Sequence, residues 1–319
     1  MGKAFSKNAT DYAPALAAAQ AACGAQEWPA PALYMLATPI GNLADVTLRA
    51  LHLLSIADAV ACEDMRHSAQ MLHAWGIAPP RLLSVHAHNE ATAAAGVLAL
   101  LAAGARVAYV SDAGTPAISD PGARLAAACR AAGHRVVPLP GASSVACALS
   151  AAGAAGDGRF VFAGFLPAHA KERAAAVQQL AAEARAVVLF EAPHRIAALA
   201  RELAAALGQR PVSVCRELTK QFEHIATLPA QALPAWLAAD AQRQRGEFSL
   251  VLHAAACPAA GQRAGDGERT LRLLLADGLS VAAAARLAAR ISGGSRKALY
   301  DAALHWREAG NDGEDVGAP

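Results

Sequence analysis

Short apolar runs recur along the chain, each closed by small or polar residues and followed by a longer helical stretch. In the N-terminal half the apolar run from Leu33 that stops at Thr38, and the runs Ala59–Cys62, Leu82–Val85, Arg106–Val110 and Arg135–Pro138, read as strands. Thr47–Leu54 and Ala91–Ala103 read as helices between them. Alternation at this spacing predicts βαβ units and a mostly parallel sheet. Gly104 and Gly133 fall between a helix and a strand, where a left-handed C-cap is expected. A glycine-containing break at 152–159 then separates a second α/β unit. Its expected strands are Phe160–Ala163, Ala186–Phe190, Val212–Cys215 and Glu247–His253, with helices at Lys171–Ala182 and Arg195–Ala206. After a Gly- and Ala-rich linker at Pro258–Gly267, three helices are expected at Arg269–Ala276, Val281–Arg290 and Arg296–Trp306, broken at Gly278 and Gly293-Gly294.

The pattern divides the chain into a loosely ordered extension (1–30), an N-terminal α/β domain (31–150), a C-terminal α/β domain (151–257), a helical module (268–309) and a polar tail (310–319). A length of 319 residues suits two domains and a small third piece. Hydrophobic residues make up 55%, which excludes a mainly disordered chain, although much of that is alanine. No window is apolar enough for a membrane span, and the first thirty residues lack the apolar centre of a signal peptide. The six cysteines form no C-x-x-C pair, so they read as reduced thiols in a cytosolic protein without a structural metal. A formal charge of +2 is nearly neutral, so any nucleic-acid contact must come from a local patch. Arg269, Arg272, Arg286, Arg290, Arg296 and Lys297 make the helical module a candidate for one.

Candidate chemistry gathers at strand ends, where open α/β sheets bind ligands. Thr38-Pro39-Ile40-Gly41-Asn42 closes the first strand with a stiff small-residue loop. Ser111-Asp112-Ala113-Gly114-Thr115-Pro116 follows the Arg106–Val110 strand, and small residues there let a ligand approach the backbone. Asp120-Pro121 next reads as the N-cap and first turn of a helix. Pro140-Gly141-Ala142-Ser143-Ser144 is a third such loop. In the second unit Glu191, His194 and Arg195 lie within one turn, suited to proton handling and phosphate binding. Arg216 and Lys220 repeat the theme after the next strand, and Lys171 and Arg173 add charge further upstream. His86 and His88 share a strand face, but no third metal ligand is placed. The usual nucleotide and hydrolase signatures are missing: there is no G-x-G-x-x-G, no P-loop, no H-E-x-x-H and no G-x-S-x-G.

Taken together, ATPIGNLADVTLRA (37–50), CEDMRHSAQML (62–72), SDAGTPAISDPGARL (111–125), GFLP (164–167), FEAPHR (190–195) and CRELTKQFE (215–223) resemble the ribosomal RNA small subunit methyltransferase I family. These are 16S rRNA cytidine 2′-O-methyltransferases of the tetrapyrrole-methylase-like class. RKALYDAAL (296–304) is similar to that family's C-terminal helical module. The resemblance implies two α/β domains of the tetrapyrrole methylase type with S-adenosyl-L-methionine in the cleft between them. It also implies a homodimer in a bacterial cytoplasm, acting on 16S rRNA or the assembled 30S subunit, with no membrane and no metal. On this reading the strand-end loops, with Pro39, Gly41, Asn42, Asp112, Ala113, Gly114, Thr115, Ser143 and Ser144, are expected to hold the donor, and Phe248 to cover its adenine. The RNA is expected over Arg66, Lys171, Arg195, Arg216 and Lys220, with Glu191 and His194 as alternative bases. Two rivals stay open: a methyltransferase of this fold acting on a tetrapyrrole or another small molecule, and a non-catalytic nucleic-acid-binding protein. The chain departs from the family at Met65, where threonine is usual, and at Ala142, where related enzymes often carry proline.

Overall fold

The structure, a computed structural model, describes residues 12–78, 81–86, 89–154, 157–255 and 260–311. His88, Cys257 and residues 312–319 of the expected tail lie outside the described residues. The chain divides into two compact units, 1–254 and 255–319.

The first unit contains two lobes. In the first lobe α1 (Ala13–Gly24) precedes β1 (Ala32–Leu36), followed by α2 (Leu48–Ile56), β2 (Ala59–Cys62), α3 (Met65–Ala74), β3 (Leu82–Ser84), α4 (Glu90–Ala102), β4 (Arg106–Val110), α5 (Ala123–Ala131), β5 (Arg135–Leu139) and α6 (Ser144–Ala152). The strands form one parallel sheet in the order β3-β2-β4-β1-β5. Its inner strands are buried on both faces, which is why β1, β2 and β4 read as near-continuous apolar runs. Leu53, Leu54, Val60 and Val110 share one core cluster, whereas Leu101, Val107, Tyr109 and Leu125 share another. Leu36 pairs with both Val110 and Leu139, so the loops after β1, β4 and β5 leave the sheet side by side.

Two expectations change here. Residues 13–24 form a helix where a loose extension was expected. Its run of alanines favours helix, and the end is anchored: Cys23 is buried, and its carbonyl accepts a hydrogen bond from the Trp28 indole. Trp28 in turn lies against Tyr34 and His52, with Arg49 over its ring. Asp120, expected to cap a helix, does not do so. The helix begins later, with Gly122 as N-cap at φ +119. Its free N–H groups are satisfied by the buried Glu90, whose Oε1 accepts from Gly122 N at 3.0 Å and Leu125 N at 2.9 Å. Removing this carboxylate leaves buried donors unpaired, so Glu90→Ala is expected to lower stability by about 1–3 kcal/mol. A urea unfolding midpoint reads that loss.

The second lobe holds β6 (Phe160–Phe165), α7 (Ala170–Ala182), β7 (Ala186–Glu191), α8 (Ile196–Leu207), β8 (Pro211–Arg216), β9 (His224–Pro229), α9 (Leu233–Ala238) and β10 (Phe248–Leu252). The sheet order is β6-β7-β10-β8-β9, and only the β6/β7 pair is parallel. Strand β9 was not expected: at the sheet edge, its HIATLP sequence is only partly buried and lacks a continuous apolar run.

The second unit is three helices, α10 (Ala260–Ala276), α11 (Val281–Ser292) and α12 (Arg296–Asn311), around Leu271, Ala284, Ala288 and Leu299. The linker expected at 258–267 is already helical from Ala260. A Cβ on Gly267 would stand 3.0 Å from Ser292 Oγ and 3.1 Å from Leu299 Cδ2, so this glycine permits close helix packing. Arg269, Arg272, Arg286, Arg290, Arg296 and Lys297 are all exposed.

Candidate active site

A cavity of about 330 Å³ opens between the two lobes of the first unit. The first lobe contributes Ile40, the 113–115 loop, Ile118, Ser119, Asp120 and Ser143–Val145. The second contributes Phe165, Phe190, Glu191, Ala192, Cys215, Leu218 and Glu247–Ser249. The size and the mixture of apolar walls with a few polar groups suit a small organic ligand. Loops after β1 and β4 are tied together by Thr38 and Gly114, each N–H donating to the other's carbonyl at 2.9 and 3.1 Å. Thr115 Oγ1 donates to Ala142 O at 3.0 Å and ties in the third loop. Three strand-end loops therefore form one wall.

Among the described residues the lining includes three carboxylates, Asp120, Glu191 and Glu247, and no Lys, Arg or His. Glu191 is fully buried in its side chain. Its Oε1 accepts from Ala192 N at 2.9 Å and pairs with Arg195 Nε at 2.9 Å, while the buried Oε2 has no hydrogen-bond partner. Burial, then the nearby Glu63, pushes the Asp120 carboxyl up to about 6, with Asp112 adding to the rise and hydrogen bonding from Ser111 opposing it. Ser143 caps α6 without using its side chain for the cap, which leaves that hydroxyl available at the wall.

Of the expected donor-binding residues, Ala113, Gly114, Thr115, Ser143, Ser144 and Phe248 line this cavity. Pro39, Gly41 and Asn42 line a neighbouring one of about 280 Å³ with His67, Gln70 and Met71, while Ile40 between them faces the large cavity. Asp112 is outside both linings. Its Oδ1 accepts from Asp64 N at 3.1 Å, so it joins the loops after β2 and β4. Of the two candidate bases, Glu191 is in the cavity wall, whereas His194 is exposed on the turn before α8 and outside the lining.

The five basic residues differ in their surroundings. Arg66 is 93% exposed in its side chain and Lys171 is also exposed. Arg195 instead pairs with Glu191 and donates to Leu166 O at 2.6 Å, and Arg216 donates to Arg245 O and Phe222 O. Lys220 pairs with Glu217 at 3.0 Å and Glu247 at 3.2 Å, and its stem covers Gly41, where a Cβ would come within 2.4 Å of Lys220 Cγ. Arg173 is buried against Glu202. Sequence reading passed over Asp120, Glu247, Phe165 and Phe190 as cavity residues. Asp120 resembled a helix cap and the aromatics resembled ordinary strand residues, so only their convergence in space marks them.

Comparison with known proteins agrees with this arrangement. Residues 32–234 match the Tetrapyrrole (Corrin/Porphyrin) Methylases family, and residues 262–307 match the RsmI C-terminal HTH domain. Ribosomal RNA small subunit methyltransferase I of Neisseria meningitidis serogroup A is 45% identical over 86% of this chain and 94% of its own. The protein of the same name from Escherichia coli O157:H7 is 45% identical over 85% of this chain and 94% of its own. Among solved structures, the methyltransferase CobJ superposes with a TM-score of 0.53 at 19% identity, covering 70% of this chain and 95% of that one, a likeness of fold. With that degree of identity across both α/β lobes and the helical unit, the chain belongs to the ribosomal RNA small subunit methyltransferase I family.

Proposed function

We propose that the protein transfers the methyl group of S-adenosyl-L-methionine to the ribose 2′-oxygen of a cytidine in the decoding region of 16S rRNA. The observation that carries the donor assignment is the buried Glu191 Oε2, which has no hydrogen-bond partner among the described residues and belongs to a cavity wall without a basic side chain. Such an acceptor suits a ligand bearing a sulfonium and an ammonium, and the attraction strengthens where the lobes exclude water. Phe165, Phe190 and Phe248 supply aromatic surface for an adenine, and Ser143 and Ser144 supply hydroxyls near the start of α6.

When bound, the donor supplies an activated methyl carbon with a neutral thioether leaving group. The residues of the chain then have to orient the ribose hydroxyl in line with that carbon and accept its proton. Asp112→Ala is expected to weaken donor binding through release of the 63–64 loop from the 111–116 loop, because its carboxylate holds Asp64 N and not the cavity. Arg66, exposed although 3.9 Å from Asp64, and Lys171 can approach phosphates, as can the exposed arginines of the helical unit. The relatives are named for small-subunit RNA methylation, which favours RNA over a small-molecule acceptor here. We further propose a homodimer in a bacterial cytoplasm. No helix among the described residues is long and apolar enough to cross a membrane.

Incubation with methyl-labelled donor and 30S subunits lacking the modification tests the reading. Label is expected on one decoding-region cytidine 2′-oxygen. Transfer to a tetrapyrrole and none to 30S or 16S RNA would overturn the substrate.

A further inference from the structure

We infer that Asp120 accepts the proton of the attacking ribose hydroxyl. This rests on the methyl-transfer reading above and names the group that completes it.

Three features of the fold place Asp120 for this role. It lines the inter-lobe cavity, on the first-lobe side. Its usual duty in such a turn, capping the next helix, is taken by Glu90, which binds Gly122 N and Leu125 N. The turn that carries it is strained: Ala117 and Ser119 both hold positive φ, at 67° and 65°, without being glycine. Strained backbone of this kind persists where the surroundings impose it, and it gathers at functional sites. Those surroundings are visible. Ala117 N donates to Pro121 O at 3.1 Å. Ser119 reaches the second lobe, where a Cβ on Gly164 would stand 3.1 Å from its Oγ, next to the register shift between Phe162 and Gly164 in β6.

The groups around Asp120 suit a base. Glu63 faces it from the loop after β2, Asp112 and Ser111 from the loop after β4, and Tyr109 from β4 itself. Glu191 and Glu247 line the same cavity from the second lobe, each paired with a cation, Arg195 and Lys220, that lies outside the lining. Like charges and burial both favour the protonated carboxyl, which holds it at about 6, below neutral pH but close to it. A base poised there is mostly ionised at pH 7 and still able to take a proton. Of the other candidates, Glu191 is engaged through Oε1 by Arg195 and Ala192 N and its Oε2 is assigned to the donor, while His194 is exposed and outside the cavity lining.

The step balances simply. A bond forms between the ribose 2′-oxygen and the methyl carbon, and the electron pair of the breaking carbon–sulfur bond stays on sulfur. The hydroxyl proton passes to an Asp120 oxygen and from there to solvent.

Single-turnover methylation of undermodified 30S subunits, measured from pH 5 to 8, tests the assignment alongside donor affinity by calorimetry. The wild-type rate is expected to rise about tenfold per pH unit below about 6 and then level off, because only the ionised carboxylate can accept the proton. Asp120→Asn should lose about 10²- to 10⁴-fold in rate and lose the acid limb, with donor Kd unchanged. It should unfold at no lower urea concentration at pH 7, since the fold already disfavours the charge. Asp120→Glu should recover part of the rate together with an acid limb. An Asp120→Asn enzyme that keeps its rate or its acid limb overturns the inference, as does one that loses donor affinity. If the wild type itself transfers no methyl to a ribose, the methyl-transfer reading falls and this inference with it. Failure of the variant pattern in an active wild type removes only the role of Asp120.

Discussion

Replacing Glu191 by alanine is expected to weaken donor binding by at least about 30-fold and to lower stability by about 3–5 kcal/mol. The two effects share a cause. The Glu191 side chain is wholly buried, and Arg195 is only 19% exposed in its own side chain. Truncating one member of such a pair leaves the other charge without its partner in a poorly solvated site. Ala192 N also loses its acceptor. Arg195 Nη2 donates to Leu166 O and Pro167 O, so the freed guanidinium releases its grip on the turn that follows β6. That turn adjoins Phe165, a wall of the cavity. The unpartnered Oε2 disappears as well, and with it the acceptor assigned to the cationic donor. Calorimetry with donor and urea unfolding measure the two losses. Glu191→Gln separates them, because it keeps the shape and an acceptor but removes the charge. Donor affinity unchanged in both variants would sink the assignment of Glu191 to the donor.

Gly122→Ala is expected to destabilise the first unit by about 2–6 kcal/mol and to reduce methyl transfer with it. The backbone at Gly122 holds φ +119, outside the range an L-residue adopts easily, and strain of that kind costs about 1–3 kcal/mol. A Cβ there would also come within 2.5 Å of Tyr109 Cε1 and 3.1 Å of Met35 Cε. Tyr109 is completely buried in the core beneath the sheet and its hydroxyl is tied to Val85 O, so the ring has little room to yield. Overpacking of this type adds about 1–3 kcal/mol. The same residue donates to Glu90 and follows directly after Asp120-Pro121, so displacement moves both the start of α5 and the Asp120 turn. Gly133→Ala is the control. Gly133 holds φ +79, but nothing lies within 4 Å of its Cβ position, so only backbone strain, about 1–2 kcal/mol, is expected. Equal urea midpoints for the two variants would refute the packing argument.

Much of the architecture is a local property of the chain. β2 and β4 occupy the residues that the apolar pattern marks, Ala59–Cys62 and Arg106–Val110, because strands buried on both faces need unbroken apolar runs. The helix beginning after Thr47 is equally local, since the Thr47 hydroxyl accepts from Ala50 N three residues on. The strand-end loops are marked by small residues and proline, and those at 113–115 and 143–144 do meet at one cavity.

What the tertiary structure alone decided is which polar groups are engaged and which are free. Glu90 is 32 residues from Gly122 in sequence, yet its carboxylate relieves Asp120 of a capping role that the local S-D-P-G pattern suggests. Charge counting makes Arg195, Arg216 and Lys220 equivalent to Arg66 and Lys171, but the first three are partly buried against partners within the lobes, whereas Arg66 and Lys171 are exposed. The edge strand β9 has no strong apolar pattern of its own and is defined by its pairing with β8. Residue type and spacing set local conformation, because that depends on neighbours within a few positions. Hydrogen-bond partners, burial and the charge of a cavity wall depend on residues far apart in the chain, and these are what distinguish a base from a cap and a phosphate ligand from a structural ion pair.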